Sequence, residues 1–232
     1  MFGSRKKASQ QTLKERGSFM SKSLYSMILS DEVVAELDRA ALKAGTNRSQ
    51  LANRILAEHL SLLTPERRIE EIFRTVDRFF NEGAEMVSRF IPHQPVMQLK
   101  TALAYRYRPT LRYELRLYPE AQDGQIGEIH MILRTQAEEL LTLLDAFARD
   151  WIRAERDLRS EGKTEPLYEL QPGRFTRTIC LPREGLEPAA FSDVLSRYVR
   201  LLDESFKNYL CGRVSSAELE YRIQEEMKGE TV

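Results

Sequence analysis

Residues 22–63 read KSLYSMILSDEVVAELDRAALKAGTNRSQLANRILAEHLSLL, and the changing spacing of their apolar side chains decides the fold. Over residues 21–30, Tyr25, Met27 and Leu29 fall on one side and Lys22, Leu24, Ser26 and Ile28 on the other. Period two over so short a run is that of a strand. At Ser30 the period changes. Ser30 is a good N-cap residue, and Asp31 and Glu32 stand in the first turn, where the helix dipole favours anions. Val33, Val34, Leu37, Ala40, Ala41 and Leu42 supply a helical stripe, which Gly45 ends as a C′ residue. Asn47 opens a second helix, with Gln50 placed for a capping box and Leu51, Ile55, Leu56, His59, Leu60 and Leu63 along its inner side.

A lone strand has nowhere in this unit to satisfy its main-chain donors and acceptors, and leaving a ladder unmade is costly. The next strand pattern lies more than thirty residues on, beyond a long helix. The economical partner is the same strand of a second chain across a two-fold axis, so the reading is a homodimer. In this order of strand, capped helix, glycine turn and capped helix, residues 24–60 resemble the ribbon–helix–helix superfamily of the MetJ/Arc/CopG type. The segment Gly45-Thr46-Asn47-Arg48-Ser49 matches the family's turn. That resemblance implies an intermolecular two-stranded ribbon lying in the major groove of double-stranded DNA, a groove that physically admits such a ribbon. It also implies that Leu24, Ser26 and Ile28 face the bases, with Lys22 just before them, and that the helix start at Asn47, Arg48 and Ser49 clamps a phosphate.

Family members usually present polar or charged side chains from all three strand positions. Leu24 and Ile28 offer no hydrogen bond; they suit thymine methyls and leave Ser26 as the one hydrogen-bonding reader, or they belong to a ribbon that only joins two chains.

Charge sharpens the picture. Of the 232 residues, 35 are Lys or Arg and 35 Asp or Glu, so net charge is zero and nucleic acid cannot be held by bulk positive charge. The basic side chains gather in two islands. Residues 1–22 carry six cations against one carboxylate, and residues 1–20 read as a disordered basic arm; Met20 is an alternative start. Residues 95–118 carry five, Lys100, Arg106, Arg108, Arg112 and Arg116, against Glu114 alone. These five alternate with Leu99, Leu103, Tyr105, Tyr107, Leu111, Tyr113, Leu115 and Leu117, which predicts a hairpin with an apolar inner face and a cationic outer one. That outer face is either a secondary binding surface for phosphate, nucleic acid or an acidic partner, or the solvated side of an antiparallel sheet.

The expected architecture is α+β. A ribbon–helix–helix domain spans 21–63 and a connecting helix 64–94, introduced by Thr64 as N-cap and Pro65 at N1 and carrying Met86 and Val87 at the end of its stripe. A domain over 95–232 follows, with strands at about 97–107, 110–118 and 126–133, a helix at 135–159, a hairpin at 166–170 and 174–181, and helices at 188–210 and 215–228. Helices on one face of an antiparallel sheet would make its core, and Trp151 would anchor helix to sheet.

Signals for chemistry are poor. No glycine-rich phosphate loop, G-x-S-x-G elbow or H-E-x-x-H motif occurs, and His59, His93 and His130 lie in separate predicted elements. The reading is therefore no enzyme, no cofactor and no metal. Cys180 and Cys211 are too few for a disulfide framework or zinc module. No apolar run approaches the roughly 20 residues a membrane span needs, and the N-terminus has no secretory apolar region, so the expected compartment is the cytoplasm. The function expected is a transcriptional regulator whose C-terminal domain oligomerises it or answers a small-molecule or protein effector. Two alternatives share the fold: a dimerisation module in an assembly protein, and a partition or relaxosome-accessory factor of a mobile element.

Overall fold

A computed structural model describes residues 26–60, 64–83, 86–92, 94–158, 165–180 and 187–226. The chain divides into two compact units, Met1–Arg68 and Ile69–Val232. The basic arm at 1–20 and the strand residues Lys22 and Leu24 lie outside the described residues.

In the first unit, α1 (Asp31–Lys43) and α2 (Arg48–His59) are joined by a glycine turn. Ser30 has the extended backbone of an N-cap, but its side chain makes no capping bond; its carbonyl accepts from Val34 N–H at 3.1 Å. The C-terminal end is fully closed. Thr46 N–H reaches Ala41 O at 3.0 Å and Gly45 N–H reaches Leu42 O at 3.2 Å, a Schellman motif that needs Gly45 at φ 64°. Residues 26–30 form no strand, which departs from the sequence reading; among the described residues this unit offers them no second strand. The helical stripes also stay largely uncovered: Ala41, Leu51 and Ala57 are buried, while Val33, Leu42, Ile55, Leu56 and Leu60 are exposed.

Helix α3 (Pro65–Gly83) starts as its sequence requires, with Thr64 Oγ1 accepting from Arg67 N–H at 3.3 Å and Pro65 at the first helical position. It stops at Gly83 and does not run on to 94. Residues Val87–Phe90 form a strand, β1, instead. Met86 and Val87 follow Phe79 and Phe80 at helical spacing, but Ser88 and Phe90 alternate with Val87 and Arg89, and pairing with the next strand settles the competition.

The second unit is a six-stranded, wholly antiparallel sheet in the order β1-β2-β3-β4-β6-β5. Its remaining strands are β2 (Val96–Ala102), β3 (Thr110–Gln122), β4 (Gln125–Leu133), β5 (Tyr168–Gln171) and β6 (Arg174–Cys180). Helix α4 (Glu138–Asp157) separates the first four strands from the last two, and α5 (Pro188–Leu210) and α6 (Ser216–Glu226) close the described chain. Alternate residues of one sheet face, among them Met97, Leu99, Tyr113, Leu115, Met131 and Phe175, enter one core with Phe73 and Val76 of α3, Phe147 of α4 and Phe206 of α5. The α+β class of the sequence reading is what the molecule has.

Three details in this unit follow from local chemistry. The β5–β6 hairpin turns on Pro172-Gly173, with Gly173 at φ 73°, where a type II turn requires a residue without Cβ. Strand β2 ends at Ala102, not near 107, because Tyr107 and Arg108 turn into left-handed backbone at φ 62° and 42°. Tyr107 is accordingly fully exposed and not part of the inner face. Trp151, wholly buried, donates its indole N–H to Tyr198 Oη at 3.0 Å, so its polar bond joins α4 to α5.

Candidate nucleic-acid interface

Two sets of residues carry the sequence-based expectation, one in each unit. In the first, α2 opens on Asn47, whose side chain accepts from Gln50 N–H at 2.9 Å. Gln50 does not complete a capping box; its Oε1 takes the Thr46 hydroxyl at 2.7 Å. With the cap spent on Gln50, the amides of Arg48 and Ser49 are among the donors that a helix start leaves without an intrahelical acceptor. Asn47, Arg48 and Ser49 are all exposed. That is the local chemistry of an anion site.

The Arg48 guanidinium is engaged. Its Nε donates to Asp38 Oδ1 at 2.6 Å and its Nη2 to Asp38 Oδ2, a two-point pair that ties α2 to α1. The hydrogen bond from Arg48 holds the Asp38 carboxyl below its ordinary value, and the same bond raises Arg48. Sequence reasoning missed Asp38. The pair spans ten positions across the glycine turn, and no helical spacing announces it. Of the expected base-reading residues, Ser26 is exposed and Ile28 wholly so, on backbone with no regular structure.

In the second unit, strand register assembles the basic surface. Lys100 stands opposite Arg112, Arg112 opposite Ile132, and Ile132 opposite Arg174. This cross-strand row lies on the sheet face turned away from the core and holds three cations and no carboxylate. Arg174 was absent from the sequence reading because β6 joins the sheet beside β4, more than forty residues earlier in the chain. The next row is different. Gln98, Glu114, His130, Thr176 and Glu169 are aligned across it. Arg116 bonds Glu114 Oε1 through Nε at 2.8 Å and Nη2 at 2.5 Å. Burial pushes Glu114 up, but that hydrogen bond and the charges of Arg116, His130 and Arg112 leave it below its ordinary value. Arg116 is thus an internal partner, in contrast to Lys100 and Arg112, whose side chains make no ion pair or hydrogen bond among the described residues.

His130 is buried in this face. Its Nδ1 lies 3.2 Å from Arg174 Nη2, a donor only, and 3.0 Å from Thr176 Oγ1, so Nδ1 accepts and the proton sits on Nε2, 2.9 Å from Glu128 Oε2. Burial, with the Arg174 charge, lowers its pKa. Tyr118 is pushed up to about 12 by burial and by its hydrogen bond to Glu128. Arg106 and Arg108 leave the sheet altogether and flank Tyr107 at the β2–β3 loop.

Among the described residues, no group of three or more His, Cys, Asp or Glu is placed to hold a metal, and no helix is long and apolar enough to cross a membrane. A shallow groove of about 680 Å³ between α3 and β1 is lined by Arg74, Asp77, Arg78, Asn81, Glu82 and Phe90, but Ser88 occupies Asp77 and Glu70 occupies Arg74. No family model, curated protein or solved structure matches the chain.

Proposed function

We propose that the chain is a homodimeric duplex-DNA-binding protein of ribbon–helix–helix type, acting as a transcriptional regulator. The supporting observation is the state of the first unit. Two short helices meet at a Schellman turn, and Leu56, Ile55, Leu60 and Val33 remain exposed on helices that bury little else. Helices of this length are marginal alone in water. A second copy supplies both missing parts, a cover for this apolar face and an antiparallel partner for the strand at 21–30. The paired strands would then present Ser26 and Ile28 to the groove, and the open start of α2 would take a phosphate from each side.

Duplex binding by the full chain, measured against salt, tests this reading. Affinity should fall steeply as salt rises, since each neutralised phosphate contributes about 0.9 to the logarithmic slope. An Arg48→Ala, Ser49→Ala double variant should bind more weakly across all sequences. No salt-sensitive binding to any duplex by a folded dimer would overturn it.

One observation favours a second reading, in which the ribbon unit only dimerises. Arg48 is already paired with Asp38, and Ile28 offers DNA no hydrogen bond. Under that reading the double variant still dimerises and functions as the parent does, while Leu29→Asp abolishes the dimer.

A further inference from the structure

The β2–β3 loop, residues 103–109, has a firmly tied base and a tip of exposed side chains. At the base, Leu103 is buried and its N–H reaches Pro109 O at 3.0 Å; Tyr105 N–H bonds Leu103 O and Arg108 N–H bonds Tyr105 O, each at 2.9 Å. The Tyr105 hydroxyl donates to Glu139 Oε2 on α4 at 2.9 Å. At the tip, Tyr107 is fully exposed between Arg106 and Arg108, whose side chains make no hydrogen bond or ion pair among the described residues. Tyr107 and Arg108 both hold left-handed backbone, which L side chains with a Cβ adopt only at a cost. Pro109 keeps Arg108 out of the ordinary helical region.

The field around the tip has one sign. No Asp or Glu occurs between Met86 and Tyr113, a stretch that carries Arg89, Lys100, Arg106, Arg108 and Arg112. Glu139 on α4 is occupied by the Tyr105 hydroxyl. Two strand positions inward from the loop, Lys100 and Arg112 face each other as a like-charged cross-strand pair, an arrangement that favours an anion over it. Glu114 acts on Arg112 by charge, but its hydrogen bonds go to Arg116.

We propose that this loop and the adjoining end of the β2–β3 hairpin bind single-stranded nucleic acid, with a base stacked on Tyr107 and its flanking phosphates on Arg106 and Arg108, and the strand continuing over Lys100 and Arg112. An aromatic ring with both faces open, set between two guanidiniums, meets the two needs of an unpaired strand at once: a stacking platform and backbone neutralisation. In a duplex the base faces are already stacked on one another and out of reach of a loop tip. The site shares no residue with the duplex reading of the first unit and goes beyond it.

The test is anisotropy of a short labelled oligo-dT strand titrated with the full chain at several salt concentrations. Tyr107→Ala should weaken binding by roughly 5- to 100-fold, while Tyr107→Phe, which keeps the stacking face, binds as the parent does. Arg106→Ala with Arg108→Ala should lower the logarithmic salt slope by about 1.4, for two single-strand phosphates. All three positions are exposed, so unchanged thermal melting is the folding control. The Arg48→Ala, Ser49→Ala variant should still bind oligo-dT, which separates failure here from failure of the duplex reading. No oligo-dT binding by the folded chain overturns the proposal, as does a Tyr107→Ala variant that binds like the parent. Displacement of the strand by poly-glutamate as readily as by unlabelled oligo-dT also overturns it.

Discussion

The two units treat their apolar side chains in opposite ways. Ile69–Val232 closes its own core: Phe73, Val76, Leu99, Tyr113, Phe147 and Trp151 are all wholly buried, drawn from α3, α4 and one face of the sheet. Residues 26–60 have a similar density of Leu, Ile and Val at helical spacing, yet bury Ala41, Leu51 and Ala57 while Met27, Leu29, Val33, Ile55, Leu56 and Leu60 stay exposed. Periodicity marks a face that has to be covered. It does not say which chain covers it: the second unit covers its own, and the first leaves its face open among the described residues.

The strongest test of self-sufficiency in the second unit is its buried ion pair. Arg177 and Glu155 are both buried; Arg177 Nη2 lies 3.0 Å from Glu155 Oε1, and its guanidinium sits 4.6 Å from the Tyr198 ring centre. Burial opposes the Arg177 charge, but Glu155 outweighs it and holds the guanidinium firmly protonated. Glu155→Gln strands that charge and should cost about 3–5 kcal/mol, whereas replacing both residues by methionine should recover most of the loss. Chemical denaturation checks both. The loss should not change with protein concentration if this unit closes on itself, and a concentration-dependent loss would break the comparison.

The first unit should behave in the reverse way. Leu56→Asp places a charge on a side chain that is already exposed in a single chain, so it should be nearly neutral for an isolated unit. If a second copy covers Leu56, the substitution buries an unpaired charge at an interface. The dimer dissociation constant should then rise by roughly thirtyfold or more, corresponding to at least about 2 kcal/mol. Sedimentation of parent and variant decides between the two outcomes.

How far the residues announced this molecule depends on how far apart the interacting parts lie. The helix starts at Asn47 and Thr64-Pro65, the stop at Gly45 and the Pro172-Gly173 turn were legible, because each is a bond between residues no more than five apart. The end of α3 was misplaced: Met86 and Val87 continue the helical spacing of Phe79 and Phe80, and only pairing with β2 makes Val87–Phe90 a strand. In the candidate surfaces, Lys100, Arg106, Arg108 and Arg112 were legible as a cationic cluster. Arg174 and the role of Asp38 were not, since one arrives through strand order and the other across a turn. Nor was the split between Arg116, tied to Glu114, and Arg112, which has no such tie. Sequence alternation assigns a face, while cross-strand register and local pairing decide which charges on it are available.

The smallest effect expected concerns pH and bears on the outer face of the sheet. The groups around His130 are Arg174, Glu128, Arg116 and Glu114, and burial together with Arg174 and Arg116 outweighs the two carboxylates, so His130 is held below its ordinary value of 6.5. Both folded and unfolded chains carry it neutral well above 6.5. As pH falls through that value, the unfolded chain takes up a proton that the folded one refuses, so stability drops until the folded group also titrates. Glu114, lowered from 4.5, adds its own loss only in more acidic solution, and Asp203, raised from 3.8 chiefly by burial, works in the opposite sense. The parent should therefore melt a few degrees lower at pH 5.5 than at pH 7.5, and His130→Gln should remove that difference. A variant that keeps the full pH dependence would mean that His130, held down first by burial and then by the Arg174 charge, is not the group that titrates, and that the pH sensitivity lies elsewhere than on the outer face of the sheet.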